Sequence, residues 1–309
     1  MKVVRSVAKM QELSRQARGG GLSVGFVPTM GYLHDGHLSL LRKAREAADL
    51  VVVSIFVNPT QFNSAEDFEN YPTDAKADAA MLEEEGVDVL FTPSREEVYP
   101  AGAATRVAVG GLGDQLCGKF RPGHFEGVAT AVAALFHMVL PDVAVFGRKD
   151  FQQLQIIRRM VRDLHFPVRI VAGETVRERD GLAMSSRNAR LSPQQRAQAP
   201  AVSQALAAAA AKFAAGERSS AALIAEAARV LDACRALRTE YLEVVDPEAI
   251  AAAEAADERS VMAVAAWLGP VRLIDNVTLA EPSCLSLAVS VPGTEILERT
   301  PTAPNAAVS

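Results

Sequence analysis

The sequence predicts an α/β protein in which a parallel sheet is followed by a smaller α+β domain. Short apolar runs at residues 22–27, 50–57 and 87–91 alternate with helical patterns through the first half of the chain. Strands that are apolar along their whole length are buried on both faces, and helices between them provide the crossovers of a parallel sheet. After about Val176 the sequence changes to alanine-rich helical patterns that precede three further strands.

The remaining elements follow from the same periodicities. The first domain, residues 1–175, is expected to add strands at 144–146 and 168–172 and helices at 38–47, 75–85, 127–138 and 151–164. The second domain, residues 176–285, is expected to contain helices at 194–214 and 219–237 and strands at 241–245, 260–267 and 271–275. The last residues, 286–309, are rich in Pro, Thr and Ala, so we expect a mobile tail.

Composition excludes several classes of protein. The 309 residues carry a net charge of -5, with 49% hydrophobic and 22% charged residues, as in ordinary globular proteins. A net negative chain is not drawn as a whole to nucleic acid or to an anionic membrane, so we expect neither as a partner. The apolar runs are too short to span a bilayer, and the first ten residues lack the apolar core of a signal peptide.

Cysteine usage indicates the compartment. Cys117, Cys234 and Cys284 are far apart and odd in number, so their spacing indicates neither a disulfide framework nor a metal site. Three free thiols suit a reducing environment, and we expect a cytoplasmic protein.

The strongest motif lies where the first predicted strand gives way to a helix. His34 and His37 are three residues apart there, with Gly36 between them and Gly31 just before. A helix N-terminus exposes unpaired N–H groups and a partial positive charge, which together bind phosphate. Glycines allow the backbone to approach a ligand closely. A lone histidine is more often a packing or surface residue, but this spacing after a strand predicts a nucleotide triphosphate site.

A second cluster again follows a strand and opens a helix. It consists of Gly147, Arg148, Lys149 and Asp150, with Gln153 one helical turn further on. Lys149 offers a mobile charge for phosphate, Asp150 a helix cap or a partner for a metal-bound water, and Gln153 a contact for a polar substrate. An ordinary N-capped helix with surface charges would have the same pattern, so this cluster alone leaves both interpretations open.

A third cluster lies in a glycine-led loop. Ser185 and Ser186 provide two hydroxyls, and Arg187 can bind a phosphate with two parallel hydrogen bonds. A polar loop between domains would also contain such residues. Three loops with complementary phosphate-binding groups in one chain favour a common site.

Together these motifs resemble the pantoate–β-alanine ligase family. The similarity extends in the right order over roughly residues 1–285 and includes PTMGYLHDGH (28–37), NPTQF (58–62), GHFEGV (123–128) and DGLAMSSRN (180–188). The H-x-G-H element alone is shared with nucleotidylyltransferases and class I aminoacyl-tRNA synthetases. The resemblance therefore implies a Rossmann-like nucleotide-binding domain, followed by a smaller α+β lid domain with a hinge near Val176.

The resemblance also implies a two-step reaction. The carboxylate of pantoate would attack the α-phosphate of ATP, giving pantoyl adenylate and pyrophosphate, and the amine of β-alanine would then give pantothenate and AMP. ATP is thus a substrate, and Mg²⁺ would bridge its phosphate oxygens. The family resemblance further suggests a homodimer formed through the first domain. The apolar run at residues 51–57 is compatible with such an interface, but equally with a central strand.

Residue roles follow from the resemblance position by position. Catalytic roles are implied for His37, which matches a proposed proton donor, and for His34, Lys149, Ser185, Ser186 and Arg187. ATP contacts are implied for Met30, Gly31, Tyr32, Leu33, His34, Asp35, Gly36, His37, Gly147, Arg148, Lys149, Asp150, Val176, Met184, Ser185, Ser186 and Arg187. Contacts to pantoate and β-alanine are implied for Gln61, Gln153, Arg121 and His124. Asp78 is a candidate Mg²⁺ ligand, although a lone helix carboxylate is more often solvated surface.

Three residues depart from the family pattern. Arg148 stands where an acidic residue is common, Thr73 where arginine is common, and Phe151 where tyrosine is common. None of the three removes a group with an assigned chemical role.

Two other functions remain open at this point. A nucleotidylyltransferase of the same fold would transfer AMP to a phosphate acceptor, but it would favour Arg or Lys where this chain has Gln61 and Gln153. A nucleotide-binding regulator without catalysis would not need His34, His37 and Lys149 together.

Overall fold

The larger part of the fold is a six-stranded sheet in which all strands run parallel. The computed structural model describes residues 1–282 and residue 285, so the tail expected at 286–309 lies outside the described residues. The strands are β1 (Lys2–Val4), β2 (Val24–Thr29), β3 (Leu50–Ile55), β4 (Val89–Phe91), β5 (Val143–Gly147) and β6 (Arg169–Gly173). Their order across the sheet is β1-β4-β3-β2-β5-β6. The predicted parallel α/β sheet is confirmed.

Eleven α-helices lie within the described residues. They are α1 (Val7–Gly19), α2 (Asp35–Ala47), α3 (Ala65–Glu69), α4 (Ala75–Glu84), α5 (Arg95–Val98), α6 (Leu116–Phe120), α7 (His124–Val139), α8 (Phe151–Asp163), α9 (Pro193–Gln198), α10 (Ala201–Ala214) and α11 (Ser220–Asp232). Short 3-10 helices occur at Pro59–Gln61, Leu112–Asp114, Arg148–Asp150 and Ser186–Arg190. Side-chain oxygens cap many N-termini, for example Ser6 on α1 and Asp74 on α4. No helix of the described part combines the length and apolarity needed to cross a membrane.

Several elements differ from the sequence prediction. The helix expected over 194–214 is two helices, because Pro200 lacks the N–H that would continue the first one. The helix expected over 219–237 ends at Asp232, and Leu237 begins the next strand. At the N-terminus, β1 and α1 are unpredicted elements. A three-residue strand is too short to carry a periodicity, and β1 exists because it pairs with β4.

The smaller part of the fold is a three-stranded antiparallel sheet covered by helices. It consists of β7 (Leu237–Val245), β8 (Val261–Leu268) and β9 (Val271–Thr278), in that order. Helices α10 and α11 pack on it around a core of fully buried side chains that includes Leu206, Leu223, Leu231 and Val264. The expected smaller α+β unit is confirmed.

Alternating residues of the large sheet enter two different cores. Phe26 of β2 packs in the core beneath α7 and α8, whereas its neighbour Val27 faces the core beneath α2 and α4. Strand β3, which contains most of the run at residues 51–57, lies inside the sheet between β2 and β4. The run is therefore a central strand, and the homodimer stays a prediction. The domain division at 175/176 also stays a prediction; it falls just after β6, which ends at Gly173.

Replacing Phe26 with alanine should lower the free energy of unfolding by about 3–5 kcal/mol, because a buried aromatic ring is removed and a cavity is left. The Phe26 side chain is 0% exposed, and its ring meets that of Phe136 edge to face. Urea unfolding measures the change. Leu22→Ala is the matched control, since Leu22 is 46% exposed, and should alter stability by less than about 0.5 kcal/mol. Equal unfolding midpoints for the two variants would contradict this core assignment.

Candidate active site

A cleft of about 660 Å³ opens at the carboxyl edge of the large sheet and is closed on its far side by the small sheet. Strands β3, β2 and β5 are neighbours, so the loops that follow them meet at this edge. Most of the predicted site residues line the cleft: Met30, His34, Gly36, His37, Gln61, Arg121, His124, Gly147, Lys149, Asp150, Gln153, Val176, Met184, Ser185, Ser186 and Arg187. Six predicted residues do not: Gly31, Tyr32, Leu33, Asp35, Arg148 and Asp78.

The histidine pair is oriented by the backbone of its own loop. The N–H of His34 donates to Nδ1 of His37 over 3.3 Å, and the N–H of Gly36 donates to Nδ1 of His34 over 3.2 Å. A Cβ on Gly36 would lie 2.8 Å from the His34 ring, so this position requires glycine. Because each Nδ1 accepts a hydrogen bond, the proton of each neutral ring is on Nε2. Both rings therefore present an N–H donor.

His37 is neutral at physiological pH. Burial lowers its pKa from the ordinary 6.5 to about 4, with Asp150 opposing this shift and Lys149 adding to it. In the absence of an anion the ring acts as a hydrogen-bond donor and not as a cation.

Asp78 is buried and is not solvated surface, while its role towards Mg²⁺ stays a prediction. Its side chain is buried in the first turn of α4, and its two carboxylate oxygens accept the N–H groups of Tyr32 and Leu33, each over 2.8 Å. These bonds hold Tyr32 at a φ of 51°, in the left-handed region. The sequence expectation of a solvated carboxylate was wrong, because a contact 45 residues away in the chain determines its surroundings.

The turn that carries Gln61 is held from several sides. Asn58, buried at the end of β3, donates from Nδ2 to Oε1 of Gln61 over 3.0 Å and to the carbonyl of Gly127 over 3.1 Å. A Cβ on Gly127 would lie 2.3 Å from the Thr60 carbonyl oxygen, so only glycine allows α7 to pack this closely against the turn. The amide of Gln61 is thus fixed, with its Nε2 contacting the sulfur of Met30 over 3.1 Å.

Arg121 and His124 bind the backbone of this turn. Nδ1 of His124 donates to the carbonyl of Gln61 over 2.7 Å, and Nη2 of Arg121 donates to the same oxygen over 3.0 Å. Nε2 of His124 then accepts from Arg121 over 3.3 Å. Burial, aided by Arg121, lowers the pKa of His124 to about 3, so this ring is neutral as well. Both residues line the cleft as predicted, and their hydrogen bonds orient Gln61.

The loop after β5 places Lys149 and Arg148 differently. Nζ of Lys149 lies 3.9 Å from the carboxylate of Asp150 at the cleft wall. Arg148 turns outward and pairs with Glu174 and Glu281 at 3.5 and 3.3 Å. The departure at position 148 therefore places no charge at the cleft wall.

Gln153 lines the cleft from the first turn of α8, whereas its neighbour Gln152 is buried beneath it. Gln152 accepts from the N–H of Cys117 and donates to the carbonyls of Leu112 and Gln115. The two glutamines therefore have separate tasks, one in the cleft and one in shaping its wall.

The third predicted loop closes the cleft from the side of the small sheet. The hydroxyl of Ser186 donates to the carbonyl of Tyr32 over 3.1 Å, which joins this loop to the histidine loop. Asp67 of α3 pairs with Arg187 at 3.1 Å and with Arg190 at 2.8 Å. Burial alone would raise the pKa of Asp67, but the two guanidinium groups outweigh it and lower the pKa. The Arg187 guanidinium also lies 5.7 Å from the centre of the Tyr71 ring.

Sequence analysis missed the roles of Asn58, Asp67, Tyr71 and Arg190. Asn58 lies three residues beyond the end of β3 and caps the turn that carries Gln61, and that position could have identified it. The other three are brought to the cleft by contacts between distant segments, which no local pattern reveals.

Comparison with known proteins relates the whole described fold to one family. The pantoate-beta-alanine ligase family matches residues 2–278. Pantothenate synthetase of Thermotoga petrophila is 48% identical over 279 residues, 90% of this chain and 100% of the relative. Pantothenate synthetase 1 of Bradyrhizobium diazoefficiens is 53% identical over 281 residues, 91% of this chain and 99% of the relative.

Solved structures similar to this fold belong to the same family. Pantothenate synthetase of Thermus thermophilus is 46% identical, with a TM-score of 0.85 over 90% of this chain and 99% of that one. The ligase of Francisella tularensis, complexed with Beta-gamma ATP and beta-alanine, is 31% identical, with a TM-score of 0.73 over 90% of this chain and 98% of that one.

The ring signals of His37 and His124 should not titrate between about pH 8 and 5.5 in the folded, ligand-free protein, since both pKa values lie far below 6.5. NMR of the ring C–H groups measures this, with His37→Gln and His124→Gln for assignment and the urea-unfolded chain as the titrating control.

The unfolded chain binds more protons than the folded protein below about pH 6.5, so the free energy of unfolding should fall as the pH drops from there towards 4. A midpoint near 6.5 for either ring in the folded protein would contradict its desolvation.

Proposed function

Because the chain belongs to the pantoate–β-alanine ligase family, we propose that it joins pantoate to β-alanine at the expense of ATP and so forms pantothenate. The observation that carries the proposal is the meeting in one cleft of phosphate-binding groups (His37, Lys149, Arg187) with neutral amides (Gln61, Gln153). That combination suits a nucleotide triphosphate beside a small hydroxy acid.

The triphosphate would bind on the β2 and β5 side of the cleft. The N-terminus of α2 offers backbone N–H groups, His34 and His37 offer Nε2–H donors, and Lys149 offers a charge. Ser185 and Arg187 would approach from the opposite wall, with Met30, Gly147 and Val176 close to the nucleotide. The Francisella relative, complexed with Beta-gamma ATP and beta-alanine, supports the binding of both a nucleotide and this amine by the fold.

Pantoate would bind beside Gln61 and Gln153. Amides accept and donate without carrying charge, so they can bind a carboxylate and hydroxyls and still leave the carboxylate nucleophilic. A second cationic cluster here would hold the carboxylate too tightly or recruit a phosphate acceptor. Arg121, engaged with the backbone of Gln61, keeps its charge at the edge of this region.

The proposed chemistry has two steps. A carboxylate oxygen of pantoate attacks the α-phosphorus of ATP, and pyrophosphate leaves. The amine of β-alanine then attacks the acyl carbon, the bond from this carbon to the AMP oxygen breaks, and the nitrogen loses a proton as the amide forms. The enzyme would contribute alignment of two anions that repel each other in water and donors for the charge on the leaving pyrophosphate. The arriving phosphates would raise the pKa of His37 and so favour its cationic form. The cationic ring donates stronger hydrogen bonds than the neutral one.

Mg²⁺ would enter with ATP. Within the described residues no group of three His, Cys, Asp or Glu side chains is placed to hold a metal, and the oxygens of Asp78 already accept backbone N–H groups. The carboxylate of Asp150 at the cleft wall is suited to one ligand position, with phosphate oxygens and water supplying the rest. The ion would supply neutralisation of charge on the phosphates.

We further propose that the protein is a homodimer of the reducing cytoplasm whose small domain closes over ATP. Cys117 and Cys234 are free thiols, and Cys284 lies outside the described residues.

ATP–pyrophosphate exchange tests the proposal. Wild-type protein with Mg²⁺ and pantoate, without β-alanine, should exchange labelled pyrophosphate into ATP, and addition of β-alanine should yield pantothenate. His37→Ala should reduce exchange by about 10²- to 10³-fold, the usual effect of losing a donor to a developing anion. His137→Ala removes an exposed histidine and should leave exchange unchanged.

Exchange that does not depend on pantoate would overturn the proposal. Bound ATP without any exchange would instead indicate a different acceptor or a nucleotide-binding protein without catalysis.

A further inference from the structure

Two of the proposed phosphate-binding loops come from different parts of the chain. Lys149 follows β5 of the large sheet, whereas Ser185 and Arg187 follow a short hairpin beyond β6. If both loops bind the same triphosphate, the distance between the two loops has to match the length of the triphosphate. The dipeptide Asp275–Asn276 in β9 bonds both the Lys149 loop and the hairpin that leads into the Ser185–Arg187 loop.

Asn276 binds the Lys149 loop. Its side-chain Nδ2 donates to the carbonyl of Arg148 over 3.0 Å and to the carbonyl of Lys149 over 3.0 Å. These two carbonyls belong to the 3-10 helix Arg148–Asp150, whose N-terminus has no side-chain cap. The amide group of Asn276 therefore fixes the backbone from which the Lys149 side chain projects.

Asp275 binds the hairpin that carries the other loop. Its carboxylate pairs with both terminal nitrogens of Arg177, at 2.6 and 3.0 Å, and both side chains are buried. Nη1 of Arg177 also donates to the carbonyl of Gly181 over 3.1 Å, across a hairpin in which Arg177 bridges to Ala183. This hairpin leads directly into Met184 and the loop that follows it.

We propose that Asp275–Asn276 is a positioning element that, in the domain arrangement of this structure, sets the distance between the Lys149 loop and the Ser185–Arg187 loop. Neighbouring residues of a strand point to opposite faces, so the dipeptide reaches the Lys149 loop with one side chain and the hairpin before the other loop with the next. The backbone N–H of Asn276 also donates to Oδ1 of Asp275 over 2.8 Å, which links the two contacts. The inference rests on the proposed function, because it assumes that both loops bind one ATP.

Asn276 carries the sharper test, since removal of Asp275 would leave Arg177 buried without its charge partner and could unfold the small domain. Asn276→Ala removes both donors, and Asn276→Asp places carboxylate oxygens against two carbonyl oxygens. Thr278→Ala is the matched control. Thr278 lies two residues along on the same face of β9, and within residues 1–282 its side chain makes no hydrogen bond to the Lys149 loop.

The measurements are the unfolding midpoint in urea, kcat, the KM values for ATP and for β-alanine, and the Kd of ATP by calorimetry. For Asn276→Ala we expect kcat/KM for ATP to fall about 10- to 100-fold, the range for lost hydrogen bonds that orient a charged group. The KM for β-alanine should stay within about twofold, and the unfolding midpoint should match that of Thr278→Ala. Asn276→Asp should lose more than Asn276→Ala.

Two results would overturn the inference. One is a kcat/KM for ATP in both Asn276 variants that equals the value for Thr278→Ala. The other is an equal loss towards all substrates that follows a lowered midpoint, which would indicate a purely structural contact. If the wild-type protein has no ligase activity, the proposed function fails, and the Kd of ATP still decides the inference: weaker ATP binding in Asn276→Ala than in Thr278→Ala supports it, and equal binding overturns it.

Discussion

Parallel pairing of β2 with β3 on one side and β5 on the other is the constraint on which the site depends. The carboxyl ends of neighbouring parallel strands lie at the same edge of the sheet. The pairing alone therefore brings together the loops that carry the histidine pair, Gln61 and Lys149. Buried contacts with other segments then fix these loops: Asp78 holds the first, and the bond from Asn58 to the Gly127 carbonyl of α7 holds the second. The sheet brings the groups together, and buried polar contacts determine their orientation.

The distribution of charge in the cleft follows from burial. His37 and His124 are neutral because burial lowers the pKa of both rings. His37 offers an Nε2–H donor to an arriving anion, whereas both ring nitrogens of His124 are already hydrogen-bonded. Among the groups proposed to bind phosphate, permanent positive charge comes from Lys149 and Arg187, and in the ligand-free protein Asp67 pairs with Arg187. Beside Gln61 the Arg121 guanidinium is engaged by the Gln61 carbonyl, and the groups proposed for the hydroxy acid are amides. In the proposed arrangement, ATP and the hydroxy acid can therefore bind in one cleft without the carboxylate of the hydroxy acid forming a tight ion pair with the protein.

The sequence alone was enough to predict the parallel sheet, the smaller α+β unit and a set of residues most of which line the cleft, because these depend on periodicity and on motifs at strand ends. It could not predict Asp78 as a ligand of backbone N–H groups, since an isolated carboxylate on a helix has no local signal of burial. The same holds for Asp67 and for Asn276, whose partners lie more than a hundred residues away. Local patterns revealed polar groups that line the cleft, and the folded chain revealed the residues that hold them in place.

A crystal structure with a non-hydrolysable ATP analogue and pantoate is the most direct test of the proposed arrangement of substrates. We predict phosphates within hydrogen-bond distance of Nε2 of His37 and Nζ of Lys149, with the pantoate carboxylate between the α-phosphate and the amides of Gln61 and Gln153. A triphosphate bound elsewhere, or pantoate bound on the far side of the phosphates from these amides, would contradict it.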